Sequence, residues 1–271
     1  MHQSVVILGA GDLGSRVALL QSQRGDVVFA MRRRNIAMPV GVQAVIGDMH
    51  EQSSLNRLPI SPDTLLFCAT PDARTESAYR HTFVAGVQKA MQILRPKRMI
   101  FISSTAVYAQ NAGEWVDESS VAEADSFNGR VLREAEALCL SQSGNTVLRL
   151  SGITGPNRNM LVNKALLGEN IANTWTNRIH IDDAAEAVSH ILQNDLRAPV
   201  YLVSDNQPAL QADVVNWIRA RHASTGSASM RLAPIADFSE PASGRRVSNA
   251  CLKATGWQPR YPSYREIYAN T

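Results

Sequence analysis

A short apolar run followed at once by closely spaced glycines constrains this chain more than any other feature. Val5–Leu8 is a continuous aliphatic stretch, and Gly9, Gly11 and Gly14 follow it in the spacing G-x-G-x-x-G, directly before a helical pattern. In a strand–turn–helix unit, the first glycine permits a tight turn, the second lets a pyrophosphate approach the backbone, and the third allows close helix packing. The segment therefore predicts dinucleotide binding, and the alternative is a glycine turn with a purely structural role. The backbone N–H groups expected to face the phosphates belong to Asp12, Leu13 and Gly14.

Strand-like and helix-like segments alternate through the first 150 residues. The predicted strands are Val5–Leu8, Val27–Met31, Val42–Ile46, Leu65–Ala69, Met99–Ile102 and Val147–Leu150. The predicted helices span roughly 12–24, 51–57, 75–94 and 129–142. Short apolar strands that alternate with helices are typical of βαβ units, so we expect an α/β fold with a Rossmann-type, doubly wound parallel sheet.

The pattern changes after residue 150. Ser151–Asn159 has the composition of a loop, helices are predicted near 182–193 and 211–222, and Val200–Val203 is strand-like. The stretch Ala223–Pro262 is rich in Ser, Gly, Pro and Arg and does not resemble core sheet. We expect a cofactor-binding domain over 1–150, with return segments around 176–205, and a smaller C-terminal substrate lobe over 151–271 that shares its border with the sheet.

Composition excludes several classes of protein. The 271 residues are 45% hydrophobic and 19% charged, which is enough apolar material for a core and no sign of disorder. A net charge of +3 is too small to favour nucleic acid or an anionic membrane as partner. The three cysteines contain no CxxC pair, no histidines have metal-ligand spacing, and neither a signal peptide nor a membrane span is apparent. We therefore expect a cytoplasmic protein without a metal site.

Residues at the predicted strand ends indicate which dinucleotide would bind. An acid at the end of the second strand would hold the ribose 2′-hydroxyl of NAD, but Arg32, Arg33 and Arg34 stand there instead. Because guanidinium groups bind a phosphate in a two-pronged way, Arg32 and Arg33 favour NADP over NAD. The alternative is a solvated basic turn. Further candidates for cofactor contact at strand ends are Asp48, Met49, Ala69, Thr70 and Ser103, each of which could equally belong to a capped or turned loop.

Seven segments in order carry a family resemblance: GAGDLG, GDM, ATP, ISSTAVY, GRVLREAE, LRLSGITGP and HIDDAAEAV. Together they resemble the short-chain dehydrogenase/reductase superfamily, in its extended type that includes NAD-dependent epimerase/dehydratases of nucleotide sugars, and the atypical relatives of that type. The likeness runs from Val5 to about Tyr264. It implies a catalytic Ser or Thr after the fifth strand, matched by Ser104, and a Tyr-x-x-x-Lys pair on the next helix. In that family the Lys lowers the pKa of the Tyr, which exchanges a proton with substrate.

The Tyr-Lys pair does not carry over. The family pattern places Asn128 at the Tyr position and Leu132 at the Lys position, and sliding the frame by one residue gives Phe127 and Val131. Neither of these two frames restores an ionisable group. A replacement proton carrier could be Tyr108, although its usual role there is structural. Other candidates are Glu114, Asp117 and Glu118, which also suit a solvated acidic turn, and His180 with Asp182, which also suit a helix start.

Two functions therefore remain open. The first is an epimerase/dehydratase-like or reductase-like oxidoreductase that acts on a small or nucleotide-sugar-like substrate. Arg158, Lys164 or Arg245–Arg246 could bind an anionic group of that substrate, or could be ordinary surface. The second is a non-catalytic NADP-binding sensor or partner-binding protein. The helices near 75–94 and 129–142 would, by the resemblance, pair across a homodimer.

Overall fold

The computed structural model describes residues 2–167, 171–224 and 242–269. Its strands are β1 (Ser4–Leu8), β2 (Val27–Arg32), β3 (Val42–Ile46), β4 (Thr64–Phe67), β5 (Met99–Ser104), β6 (Ala112–Val116), β7 (Thr146–Leu150), β8 (Gly152–Thr154), β9 (Thr174–Thr176), β10 (Arg178–His180), β11 (Val200–Val203), β12 (Ala209–Leu210) and β13 (Ser243–Val247). Its α-helices are α1 (Asp12–Gln23), α2 (Gln52–Leu55), α3 (Glu76–Tyr79), α4 (Gly86–Leu94), α5 (Phe127–Leu140), α6 (Met160–Leu167), α7 (Ile181–Gln193), α8 (Gln211–Ser224), α9 (Ala250–Ala254) and α10 (Tyr264–Ile267). A π-helical turn over Arg80–Ala85 joins α3 to α4, and a 3-10 turn over Thr105–Val107 follows β5. No helix in the part of the chain that the structure describes is long and apolar enough to cross a bilayer.

Seven strands form the main sheet in the order β11-β7-β5-β4-β1-β2-β3. All pairs from β7 across to β3 run parallel, with Leu8 opposite Met31 on one side and Phe67 on the other. Along the chain, β2 and β3 are added on one side of β1. The next strand, β4, pairs with the other side of β1, and β5 and β7 continue in that direction. The strand order therefore reverses between β1 and β4, which is where open α/β sheets bind ligands. The expected doubly wound Rossmann fold is confirmed.

Burial explains why these runs are continuous and apolar. Val5, Ile7, Leu66 and Phe101 are fully buried, since helices cover both faces of a parallel sheet and neither side of a strand meets water. A strand with alternating polar residues would leave charges in this core. The aliphatic runs that predicted the strands are thus a direct requirement of the layered architecture.

Short strands form two smaller sheets. One has the order β12-β9-β13-β6, and the other pairs β8 with β10 in parallel. Glycine makes one close approach possible here, because Gly113 has a φ of +81° and a Cβ on it would lie 3.1 Å from the Trp175 indole nitrogen.

The chain divides into two compact units that alternate along the sequence. The first comprises the chain up to Ala109, Val121–Leu150 and Ala184–Tyr201, and the second comprises Gln110–Ser120, Ser151–Asp183 and the described residues from Leu202 onward. The main sheet therefore draws on a return segment well beyond residue 150. The domain assignment made from the sequence, with its substrate lobe, stays a prediction.

Several local predictions need correction. Ser151–Asn159 is not all loop, because β8 lies inside it, and the predicted acidic turn begins with a strand, because Glu114 is part of β6. The helix predicted over 51–57 is limited to α2, and the one over 75–94 contains the π-helical turn. The stretch Ala223–Pro262 contains β13, which lies outside the main sheet, while its residues 225–241 are outside the described part of the chain.

Candidate functional site

The glycine turn lies at the switch point between β1 and β4. Gly9 has a φ of +91°, and a Cβ on it would lie 2.5 Å from the backbone of Ala69. Only glycine fits this position without strain, because the left-handed conformation and the close neighbouring backbone both exclude a side chain. The N–H groups of Gly9 and Ala10 donate to the carbonyl of Met31, which ties the turn to β2.

Gly11 and Gly14 differ in what a side chain would meet. A Cβ on Gly14 would lie 2.6 Å from the Gly9 carbonyl oxygen and 2.9 Å from the Cys68 sulfur, so this glycine permits tight packing of α1. A Cβ on Gly11 would meet nothing nearer than 4.0 Å, and Gly11 is exposed. The three glycines thus have the separate roles that the sequence predicts for a turn, an open approach and a packing contact.

The start of α1 offers hydrogen-bond donors at this open approach. Gly11 is the N-cap, and among the described residues no side chain caps the helix start. The first helical N–H groups, those of Asp12, Leu13 and Gly14, precede the first helical hydrogen bond, which Ser15 donates to Gly11. Asp12 adds a negative charge here, but Arg16 pairs with it at 2.9 Å.

Cys68 lies beside the glycine turn as a neutral group. Its thiol donates to the Gly9 carbonyl over 3.1 Å, and burial raises its pKa to about 12. The sulfur therefore stays protonated and brings no negative charge toward a pyrophosphate.

The end of β2 is strongly basic. Arg32 is the last residue of β2 and is half-buried, and its guanidinium lies 3.7 Å from the sulfur of Met38. Its Nε atom is buried without a hydrogen-bond partner among the described residues. Arg33 and Arg34 follow, both exposed. An unsatisfied buried donor is costly, so Arg32 suits a site in which an anion completes its hydrogen bonds.

Arg33 has a partner that the sequence did not reveal. Asp72, in the loop after β4, accepts hydrogen bonds from both terminal nitrogens of Arg33, the one from Nη1 over 2.5 Å. This pairing raises the pKa of Arg33 and lowers the pKa of Asp72. Two residues 39 positions apart are invisible as a pair in one sequence.

The other strand ends carry the remaining predicted cofactor residues. Asp48 is half-buried and accepts from the backbone N–H of His50 at 2.9 Å. Met49 packs against Gly86: a Cβ added to Gly86 would lie 3.3 Å from the Met49 Cε. Ala69 adjoins Gly9, and Thr70 is exposed beyond it. All four follow the carboxyl ends of strands, Ala69 and Thr70 at the switch point and Asp48 and Met49 at the edge strand β3.

Ser104 ends β5 as the N-cap of the following 3-10 turn. Its hydroxyl oxygen accepts from the N–H of Ala106 at 3.2 Å, and the residue is half-buried. A serine hydroxyl that accepts one bond still has its own proton to donate. The hydrogen bond from Ala106 therefore leaves the Ser104 hydroxyl proton available for donation.

The neighbouring Ser103 and Tyr108 face the interior instead. Ser103 is 5% exposed and donates to the Glu136 carboxylate at 2.5 Å. Tyr108 is 1% exposed, and its hydroxyl accepts from Arg149 at 2.9 Å. This burial argues against proton exchange between Tyr108 and a substrate, and in favour of the structural role.

A buried ion pair connects these residues. Arg149 binds both carboxylate oxygens of Glu136, with Nη2 at 2.7 Å from Oε2 and Nε at 3.1 Å from Oε1. Burial lowers the pKa of Arg149, but the hydrogen bond and charge of Glu136 more than offset it, so the pKa is raised overall. The cluster joins β5, α5 and β7 at the sheet end that carries Ser104. In the sequence, the sign of this buried ion pair was Arg149, a charged residue inside the apolar run of β7.

Helix α5 places no ionisable group where the resembled family has Tyr and Lys. Asn128 is half-buried in its first turn, and Leu132 is 4% exposed and part of the core. Phe127 contacts Tyr79 edge-on, with ring centroids 5.4 Å apart. Local packing has thus taken up these positions.

The remaining candidates lie in the second unit. Asp117 accepts from Ser119 and Ser120 within its own turn, and Glu118 accepts from the Leu202 N–H at 2.8 Å. Glu114 is exposed on β6. His180 is buried against Tyr261, with ring centroids 3.9 Å apart, and its Nδ1 accepts from the N–H of Asp182.

The basic candidates are partly engaged within the same unit. Arg245 and Arg246 donate to the carbonyls of Gln110 and Gly113. The Arg246 guanidinium also lies 5.2 Å from the Trp115 ring and 5.0 Å from the Trp175 ring. A planar cation between two indoles stabilises the small sheet. Arg158 is exposed just before α6, and Lys164 is exposed in the last turn of α6.

Comparison with known proteins identifies the class. The sequence profile of the NAD dependent epimerase/dehydratase family matches residues 5–203, and the chain belongs to this family. This confirms the resemblance seen in the motifs.

Individual relatives agree with this assignment. A solved structure from Methylobacillus flagellatus, provisionally assigned as an NAD-dependent epimerase/dehydratase, is 32% identical and superposes with a TM-score of 0.83, covering 99% of this chain and 97% of the other. Protein YeeZ of Escherichia coli (strain K12) is 27% identical over 214 residues, which is 73% of this chain and 76% of YeeZ. The enzyme WbmG of Bordetella bronchiseptica, solved in complex with NAD and UDP, is 16% identical with a TM-score of 0.76, covering 99% and 92% of the two chains, and shows likeness of fold.

The residues around the switch point fit a dinucleotide. Gly11 leaves room that a Cβ would fill, the N–H groups of the α1 N-terminus adjoin it, and Arg32 carries an unsatisfied buried nitrogen. A dinucleotide needs an open turn and helix N–H groups at its pyrophosphate, and polar or charged side chains at the end of the second strand for its adenosine ribose.

Proposed function

We propose that this protein binds NADP(H) in preference to NAD(H), with Arg32 and Arg33 holding the 2′-phosphate. The supporting observation is the end of β2, where three arginines follow one another and no acid takes the position that would bind a ribose 2′-hydroxyl. Such an acid would repel a phosphate, whereas a guanidinium binds it by two parallel hydrogen bonds. The glycine turn, with Asp12, Leu13 and Gly14, would hold the pyrophosphate. Asp48, Met49, Ala69 and Thr70 would contact the adenosine half.

We further propose an epimerase/dehydratase-like or reductase-like reaction on a small or nucleotide-sugar-like substrate. The bound nicotinamide would supply hydride transfer. Ser104 would polarise a substrate oxygen by donating the hydrogen bond that its geometry leaves available. Because Tyr108 is buried against Arg149, a water molecule or a loop acid is the better candidate for the proton. Membership of the family and the UDP bound by the fold relative WbmG favour this substrate class.

Cofactor preference is tested by fluorescence titration of the protein with NADPH and NADH. Arg33→Gln removes a charge-assisted two-pronged contact, so NADPH affinity should fall by about 10- to 100-fold while NADH affinity stays the same. Arg130→Gln is the matched control. Arg130 is an exposed arginine on α5 that pairs with Glu76 of α3 at 3.5 Å, so it is a similar ion pair away from the end of β2. Equal NADH and NADPH affinity in the unmodified protein would show that the basic turn has no part in selection.

A second candidate function is a non-catalytic NADP-binding sensor or partner-binding protein. The observation that favours it is helix α5, on which a buried Leu132 and an uncharged Asn128 replace the expected pair. A panel of carbonyls and nucleotide sugars, with products assayed directly, decides between the two. The enzyme predicts product formation that Ser104→Ala lowers by about 100-fold or more. Tight NADPH binding with no product, unaffected by that substitution, selects the sensor.

A cytoplasmic location and a homodimer complete the proposal. The first rests on the three free cysteines, since a reducing compartment keeps thiols unpaired. The second rests on the family resemblance of the helices near 75–94 and 129–142, and size-exclusion chromatography with light scattering measures it.

A further inference from the structure

We propose that Asp72 is a cofactor-specificity residue, whose carboxylate occupies Arg33 in the free protein and must be displaced by the 2′-phosphate of NADP(H). The inference rests on the proposed NADP(H) preference and extends it. It assigns a function to Asp72, which directly follows the segment ATP in the loop after β4.

The contact between the two side chains has the geometry of phosphate recognition. Asp72 presents both oxygens to the two terminal nitrogens of Arg33, as a phosphate would present two of its own. Both side chains are accessible, with 55% of Arg33 and 69% of Asp72 exposed. The carboxylate therefore acts as an internal stand-in for the ligand, and solvent can reach it for exchange.

Sheet topology places this pair at the cofactor site. Arg33 follows β2 and Asp72 follows β4, and these two strands flank β1 on either side. The pair thus joins the two loops on either side of the glycine turn, which itself contacts Ala69 in the loop of Asp72. A dinucleotide that runs from the turn to the end of β2 must meet this pair.

The electrostatic surroundings point the same way. Arg33, Arg34 and His50 all act on the Asp72 carboxylate and lower its pKa. Asp48 is a second carboxylate that acts on Arg33, but it does so without a hydrogen bond. Asp72 is therefore the carboxylate that lies among Arg33, Arg34 and His50, where we propose that the 2′-phosphate binds.

Exchange of one anion for another sets the size of the effect. An exposed ion pair is weak, and a phosphate dianion attracts Arg33 and Arg34 more strongly than a carboxylate does. NADPH can therefore displace Asp72, but it binds less tightly than it would without the competitor. NADH has no 2′-phosphate and leaves the pair intact.

The test measures affinity rather than activity. NADPH and NADH are titrated by fluorescence against the full-length protein and Asp72→Asn, and 2′,5′-ADP and ADP are used as fragment probes. Asp72→Asn should bind NADPH and 2′,5′-ADP about three- to tenfold more tightly, with NADH and ADP unchanged. Glu134→Gln is the matched control, because Glu134 is an exposed acid that pairs with Arg80 at 2.6 Å on other elements of the same unit. Asp72→Ser serves as a second variant, and melting temperatures check that all variants fold.

The outcomes separate this inference from the proposed function. If Arg33→Gln weakens NADPH but Asp72→Asn leaves NADPH affinity unchanged or lower, the NADP(H) preference stands and the role of Asp72 is refuted. If Asp72→Asn tightens NADH and ADP equally, the carboxylate repels any nucleotide and does not select the 2′-phosphate. If Arg33→Gln has no effect on NADPH, Arg33 does not hold the 2′-phosphate and the inference fails, while the NADP(H) preference is judged separately from the NADH and NADPH affinities of the unmodified protein.

Discussion

Substitution of Gly11 by alanine should separate cofactor binding from folding. A Cβ at this position lies 4.0 Å from its nearest neighbour, the Gly9 carbonyl oxygen, and the φ of −77° is outside the left-handed region, although the ψ of −150° lies beyond the usual extended range. The added methyl therefore clashes with nothing in the chain. Alanine restricts the unfolded chain, which stabilises the fold by about 0.4–1 kcal/mol, and the ψ of Gly11 offsets this gain, so the free energy of unfolding should change by less than about 1 kcal/mol.

Cofactor binding should suffer in the same variant. The methyl would occupy the open side of Gly11, where a pyrophosphate has to approach the first N–H groups of α1. Charge-assisted hydrogen bonds contribute about 1.5–3 kcal/mol each, so displacement of the phosphates from one or two of them corresponds to roughly a 100-fold loss of NADPH affinity. The loss should apply equally to NADH, since both cofactors carry the pyrophosphate.

Thermal melting and fluorescence titration on one preparation test both halves. Gly14→Ala is the matched comparison, because its Cβ would lie 2.6 Å from the Gly9 carbonyl oxygen and should lower stability by about 1–3 kcal/mol. Gly11→Ala with normal NADPH affinity would show that phosphates do not pass over this residue. A melting temperature as low as that of Gly14→Ala would refute the packing argument.

Two further predictions concern buried charges. Glu136→Ala leaves Arg149 buried without its partner, so the free energy of unfolding in urea should fall by about 3–5 kcal/mol, and a fall below about 1 kcal/mol would contradict the pairing. Burial raises the pKa of Asp205 to about 7, despite the opposing charge of Arg178. The folded state therefore holds this proton more tightly than the unfolded state, and stability due to Asp205 is lost as pH rises from about 4 to about 7, by up to about 1.4 kcal/mol per pH unit. Urea unfolding at several pH values should show this loss in the unmodified protein and not in Asp205→Asn; parallel pH profiles for the two would disprove it.

The central strands β1, β4 and β5 were predictable because burial on both faces demands apolar runs, whereas β3 at the edge is only partly buried and contains the exposed Gln43. Val42–Ile46 and Val200–Val203 have the bounds that the sequence predicts, and the other strands differ by one or two residues at either end. The short strands were not predictable. β6 contains a glycine and an exposed glutamate, and it is a strand because β13 pairs with it, not because of its own residues.

The candidate site divides in the same way. Backbone-determined positions such as Gly9 and Gly14 could be read from spacing, since only glycine satisfies their geometry. Interactions between distant side chains could not, and both Arg33 with Asp72 and Glu136 with Arg149 depend on the folded sheet. Tyr108 could be placed near the candidate site, but its burial under Arg149 follows only from packing.

The alternation of the two units along the chain has a consequence for synthesis. A hydrogen bond between Asn111, beside β6, and Gly244 in β13 joins residues 133 positions apart. At about 5–20 residues per second, a ribosome needs roughly 7 to 27 seconds to make the second partner after the first. During that interval the segment of β6, which includes Trp115, has no partner strand. We expect this segment to be open to aggregation or chaperone binding until β13 emerges.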